Sequence, residues 1–227
     1  MDTPIEDTIR QFKWSVLQAF VPTSKLDYST LAPGNITPPP TTSKDYGIIQ
    51  EALQQQNRQL DSIKGDGNCL FRSISKELLG NEKYHTMIRG IIVDFTEQNS
   101  DLFKCLLFSG TMAEHCKEMR QWGKWGSHIE LQALSCLLQV EVYIFSPKRQ
   151  GAGYEWGLFK HQSIPHNKLT FPHGVDSINK SEHYHMELCY TFAVHYDRVV
   201  PRDLLLSVLP EPPQLNTSVT DPIVLEE

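Results

Sequence analysis

The sequence predicts an α+β protein in which a small mixed β-sheet packs between helical layers. Three observations carry this. Apolar residues recur at helical spacing through the first part of the chain, as in Leu70-Ile74-Leu78 and Tyr84-Ile88-Ile91-Ile92-Phe95. From Val140 onward the repeat shortens to alternation, with Val142 and Ile144 interleaved by Glu141, Tyr143 and Phe145. The 227 residues are 40% hydrophobic and 21% charged, enough for one sizeable core or two small ones.

The elements follow in order. Residues 5–20 place Ile9, Phe12, Val16 and Phe20 near helical spacing. Residues 21–44 hold Pro22, Pro33 and Pro38-Pro39-Pro40 among Ser and Thr, a composition that builds no packed element. The expected division is therefore 1–44 as an N-terminal helix and Pro-rich linker or arm, 45–205 as the main domain, and 206–227 as a mobile tail with Pro210, Pro212, Pro213 and Pro222. Within the main domain a helix over 45–56 puts Ile48, Ile49 and Ala52 on one side. Gly80 stops the Leu70–Leu78 helix, since a left-handed residue ends a helix most easily when it is glycine. Helices follow at 82–98, 100–107 and 110–120. Ser127-His128-Ile129-Glu130 has capping-box spacing and opens a helix to Leu138 that is apolar on nearly every side. Strands are expected at 140–145, 154–160, 186–192 and 193–200, with a long loop over 161–185.

Charge and composition narrow the function. Net charge is −6, pI is near 5.8, and no basic run appears, so nucleic acid is not an expected partner. No apolar stretch approaches the ~18–20 residues that cross a bilayer, and the acidic start Met1-Asp2-Thr3-Pro4 is unlike a secretory signal. Cysteines 69, 105, 116, 136 and 189 are odd in number and scattered, which fits reduced thiols in a cytoplasmic or nuclear protein.

One segment carries chemistry. In Gly65-Asp66-Gly67-Asn68-Cys69 the glycines permit a turn closed to other residues, Asn68 has the chemistry of an N-cap, and Cys69 enters the first turn of a helix. Unpaired N–H groups there favour a thiolate and can also receive the oxygen of a tetrahedral intermediate. Taken alone, such a cysteine is as readily a small buried hydrophobe. A thiol needs a base, and His195-Tyr196-Asp197 supplies one. Strand alternation turns His195 and Asp197 to the same face, so Asp197 can hold the imidazole while its other nitrogen meets Cys69.

Three strings resemble the ovarian tumour (OTU) family of thiol proteases. GDGNCLFRSIS at 65–75 resembles its catalytic-cysteine box, WGSHIELQAL at 125–134 its middle segment, and VHYDRVV at 194–200 its closing histidine box, together spanning roughly 57–200. The resemblance implies a papain-like OTU fold, with Cys69 as nucleophile, His195 as general base, Asp197 as orienting acid and Asp66 in the loop near the oxyanion hole. It implies hydrolysis of isopeptide bonds at the C-terminus of ubiquitin or a ubiquitin-like modifier, ubiquitin or polyubiquitin chains as partners, no cofactor and a monomer. Two alternatives stand beside it: an OTU module that binds ubiquitin without cutting it, and a protease excised from a polyprotein. Glu130 is expected to cap a helix, and Trp122 and Trp125 to lie in the core. Cys105, Cys116, Cys136 and Cys189 are expected to pack. His183, His185 and Cys189, with His173, are set aside as a zinc set, because no Cys-x-x-Cys pair exists and the histidines are too close in sequence. They are expected instead beside the active site.

Overall fold

The computed structural model describes residues 11–13, 15–16, 37, 44–148, 152–171, 184–192, 194–202 and 211–215. Its helices are α1 (Lys44–Gln54), α2 (Cys69–Leu79), α3 (His85–Gln98), α4 (Ser100–Phe103), α5 (Met112–Met119) and α6 (His128–Leu138). Its strands are β1 (Arg58–Asp61), β2 (Glu141–Pro147), β3 (Tyr154–Phe159), β4 (His185–Thr191) and β5 (His195–Pro201). They form one sheet in the order β1-β5-β4-β2-β3. β2 and β4 run parallel, and the other three pairings are antiparallel, so the sheet is mixed.

Both faces of the sheet are covered. Val142, Ile144, Met186, Leu188 and Tyr196 join the larger core with Leu70, Phe71 and Ile74 of α2, Ile88 and Ile92 of α3, and α6. The alternate residues Tyr143, Phe145, Cys189 and Val199 meet Ile49 and Leu53 of α1 on the opposite face. A strand sandwiched in this way needs apolar residues at every position, which is why β2 is buried from Val142 through Ser146 rather than on one side only. The α+β architecture with a mixed sheet between helical layers is the one expected. Helix α6 is buried along its whole length, as its unbroken apolar sequence requires.

Several boundaries and placements differ from expectation. Glu82–Tyr84 form a 3₁₀ turn before α3, begun where the Asn81 side chain accepts from the Lys83 N–H. In α1 the inward stripe is Ile49 and Leu53, while Ile48 faces solvent. Trp122 and Trp125 are not core residues: they are 67% and 56% exposed. Cys105 is likewise exposed, whereas Cys116, Cys136 and Cys189 are buried. Strand β1 has no counterpart in the expected elements. Phe12 and Val16, in a helical stretch, lie in the larger core. Residues 211–215 are also described, and the Glu211 carbonyl accepts from Arg58 Nη2 at 2.7 Å. Ile9, Phe20, the proline run at 38–40 and the end from 216 onward lie outside the described residues.

Candidate active site

The turn before α2 is built from its own polar groups. Asp66 Oδ1 accepts from the Asn68 N–H at 3.1 Å and from Asn68 Nδ2 at 3.1 Å. The same carboxylate receives Arg72 Nε at 3.0 Å and Nη2 at 2.6 Å, one helical turn into α2. The hydrogen bond from Arg72 holds the Asp66 carboxyl far below the usual carboxylate range. With both oxygens committed, Asp66 shapes the loop and is not aimed at the imidazole. Gly67 has φ +77°, and a Cβ placed there would lie 2.1 Å from the Gly123 carbonyl oxygen, so only glycine fits. Asn68 precedes α2 but does not cap it through its side chain. Its Oδ1 accepts instead from Arg89 Nη2 at 2.8 Å and from the Gly123 N–H at 3.2 Å.

Cys69 is therefore the first residue of a helix whose entry is fixed from both sides. Its sulfur is nearly buried and accepts from the Tyr196 N–H at 3.5 Å. Arg72 N–H is already bonded to the Asn68 carbonyl at 2.9 Å. The N–H groups of Cys69, Leu70 and Phe71 precede the first intrahelical donor, the Arg72 N–H, and form the positive end of α2.

His195 opens β5, and Gly65 lies against its ring: a Cβ on Gly65 would stand 3.6 Å from His195 Cε1 and Nδ1. His195 Nε2 is 3.1 Å from Asp197 Oδ1. The Cys69 sulfur, which accepts from the N–H of Tyr196 next along the strand, acts on the same imidazole. Burial pulls the imidazole pKa down, but the interactions with Asp197 and Cys69 outweigh it and raise the value to about 10. Asp197 is fully buried. It accepts from the Ile63 N–H at 2.9 Å, and the Thr191 hydroxyl lies 3.1 Å from its Oδ2. Tyr46 of α1 donates to the same oxygen at 3.4 Å. Burial and the adjacent Asp197 charge push the Tyr46 phenol up to about 12, so it stays protonated as a donor.

Cys69, His195 and Asp197 thus meet where the start of α2 abuts β5, with Asp66 bonded within the turn. Sequence reasoning missed Tyr46, Thr191 and Arg89. Arg89 carried a signal: it falls at helical spacing with His85, Ile92 and Thr96, all buried. Of the residues set aside from zinc, Cys189 does lie beside the site, paired across the sheet with Asp197, whereas His185 does not. His185 sits at the opposite end of β4 from Thr191, some ~20 Å away at strand rise, and bonds Glu187 at 2.8 Å. His173 and His183 lie outside the described residues. Among the described residues no cluster of His, Cys, Asp and Glu is arranged to hold a metal.

A sulfur at a helix start facing a strand whose imidazole bonds a buried carboxylate, on a mixed sheet between helices, defines the class by its architecture: the papain-like OTU fold. The chain belongs to the OTU family. Residues 64–197, more than half of it, match the family described as OTU-like cysteine protease. It is 30% identical over 104 residues to the OVARIAN TUMOR DOMAIN-containing deubiquitinating enzyme 9 of Arabidopsis thaliana, covering 45% of this chain and 29% of that protein. It is 26% identical over 140 residues to deubiquitinating enzyme 11 of the same name and organism, covering 62% and 54%. The chain therefore spans between about a quarter and about half the length of such curated relatives. Among solved structures the OTU domain of OTUD1 has the same fold, with TM-score 0.54 and 23% identity over 68% of this chain and 93% of that one.

Proposed function

We propose that the chain is a thiol-dependent deubiquitinase that hydrolyses the isopeptide bond at the C-terminus of ubiquitin or a ubiquitin-like modifier, acting as a monomer on ubiquitin or polyubiquitin chains. The observation that carries this reading is the Cys69 sulfur at the start of α2, held against β5 by the Tyr196 N–H, beside a His195 imidazole that bonds the buried Asp197 carboxylate. The substrate class is taken from relatives named deubiquitinating enzymes.

In this reading Cys69 is the nucleophile, His195 the acid and base, Asp197 the orienting acid and Asp66 the shaper of the turn. Sulfur attacks the scissile carbonyl, and the negative charge formed on oxygen faces the first-turn N–H groups of α2. His195, cationic while the sulfur is a thiolate, gives its proton to the departing lysine amine as the C–N bond breaks. Water then loses a proton to His195 and adds to the thioester. The C–S bond breaks, sulfur leaves as a thiolate beside cationic His195, and the carboxylic acid released gives its remaining proton to solvent. Each step uses groups this chain holds.

The test uses a ubiquitin whose C-terminus carries an electrophile, together with a fluorogenic ubiquitin amide. Labelling of the wild type, lost in Cys69→Ala, and a fall in turnover of several orders of magnitude in Cys69→Ser are expected. Tight ubiquitin binding with neither labelling nor turnover in the wild type rejects the enzyme in favour of a binding module.

A further inference from the structure

Arg89 lies on α3, outside the site residues just described, yet its guanidinium bonds directly to the turn that presents Cys69. It is 4% exposed. Burying a guanidinium costs several kcal/mol unless its donors are satisfied, and a carboxylate is the usual partner. Arg89 forms no ion pair among the described residues. Its acceptors are neutral: Nη1 donates to the Met119 carbonyl at 2.9 Å, and Nη2 to the Gly67 carbonyl at 3.3 Å and to Asn68 Oδ1 at 2.8 Å. Its guanidinium also stacks 4.0 Å from the centre of the Phe71 ring, inside the first turn of α2.

These contacts join three segments that the chain does not join itself. Met119 ends α5, Gly67 and Asn68 precede the sulfur, and Asn68 Oδ1 also receives the Gly123 N–H. The Gly67–Asn68 peptide is gripped at both ends: its carbonyl by Arg89, its N–H by Asp66. That fixes the plane of the peptide from which the next N–H and the Cys69 side chain project. We infer that Arg89 is a positioning residue for the nucleophile turn, holding the Gly67 carbonyl and the Asn68 amide inward so that the Cys69 sulfur and first-turn N–H groups stay presented to His195. This rests on Cys69 being the nucleophile, as proposed above. Lysine cannot replace it fully, because a single ammonium does not span acceptors on two sides of a planar fork.

The test reads the sulfur directly, without ubiquitin. The whole chain is treated with iodoacetamide, and the alkylation rate of Cys69 is divided by that of exposed Cys105 using mass spectrometry, with circular-dichroism melting as the check on folding. In Arg89→Met the ratio is expected to fall by about tenfold, and in Arg89→Lys by less, because a displaced nucleophile loses reactivity steeply. On the fluorogenic ubiquitin substrate kcat falls with the ratio while KM is kept. A folded Arg89→Met with the wild-type ratio overturns the inference. If that variant does not fold, Arg89→Lys decides: a lowered ratio supports the assignment and a wild-type ratio overturns it. A wild type that ignores ubiquitin refutes the proposed function and leaves the alkylation ratio to judge Arg89 on its own.

Discussion

At His195 two opposing forces meet. Burial favours the neutral imidazole, while Asp197 and the Cys69 sulfur favour the cation, and the cation wins, with the pKa raised to about 10. In an unfolded chain the same group titrates near about 6.5. Between these values the folded state holds a proton that the unfolded state has lost, so stability falls as pH rises through that window. The contribution is whole below about pH 6.5 and gone above about pH 10. The melting-temperature gap between wild type and His195→Gln is therefore expected to close on raising the pH across that range; a gap that widens would reject the assignment. Asp197 and Glu130 separate orientation from scaffolding. Asp197 accepts from His195, Ile63 and Thr191, whereas Glu130 holds the Ser127 N–H at 2.7 Å and His115 at 2.7 Å. Asp197→Ala is expected to reduce kcat far more than Glu130→Gln when both are folded. The reverse ranking in a fluorogenic assay would sink the orienting role.

Among the elements, the turn into α2 is the one whose geometry is set by absent side chains. Gly67 and Gly123 both have φ +77°, and their main chains touch. Gly67→Ala combines a left-handed alanine with a Cβ 2.1 Å from a carbonyl oxygen. It is expected to cost at least about 1–3 kcal/mol in urea unfolding and to lower turnover further by moving the sulfur. How much the sequence disclosed varies by element for the same kind of reason. The Ser127/Glu130 capping box was legible because its residues act locally. The matching box at Thr111 and Glu114 has the same spacing and forms, though helix periodicity alone placed the start of α5 less sharply. Strand β1 was not legible. Its sequence, Arg-Gln-Leu-Asp, looks like a loop because Arg58 and Asp61 are buried as ion partners rather than as apolar residues. Trp122 and Trp125 failed as core residues because the backbone of Gly123 docks on the nucleophile turn and leaves its neighbours outside. The Cys69 and His195 segments were found because turn chemistry and strand alternation are written within a few residues; Tyr46, Thr191 and Arg89 reach the site only through tertiary packing.

At the scale of the whole molecule, charge is buried as deliberately as oil. Asp61, on β1 and fully buried, accepts from Lys76 Nζ at 2.6 Å and Arg198 Nε at 2.9 Å, while its Oδ1 also receives the Thr37 N–H at 2.7 Å. Arg198 continues to Glu77 at 3.2 Å, and Lys13 reaches the same carboxylate at 2.9 Å. One network thus ties the N-terminal helical stretch, α2, β1 and β5. Removing one member strands the others: Asp61→Ala is expected to cost about 3–5 kcal/mol in chemical denaturation. A loss under about 1 kcal/mol would mean the two cations find water instead.

The pairing of β5 with β1 has a temporal side. The Tyr196 N–H that meets the Cys69 sulfur is 127 residues later in the chain. At ribosomal speeds that gap takes on the order of ten seconds to polymerise. On the proposed reading of Cys69 as nucleophile, the nascent polypeptide carries the sulfur through that interval without His195, and the pair can form only once β5 has been made and paired.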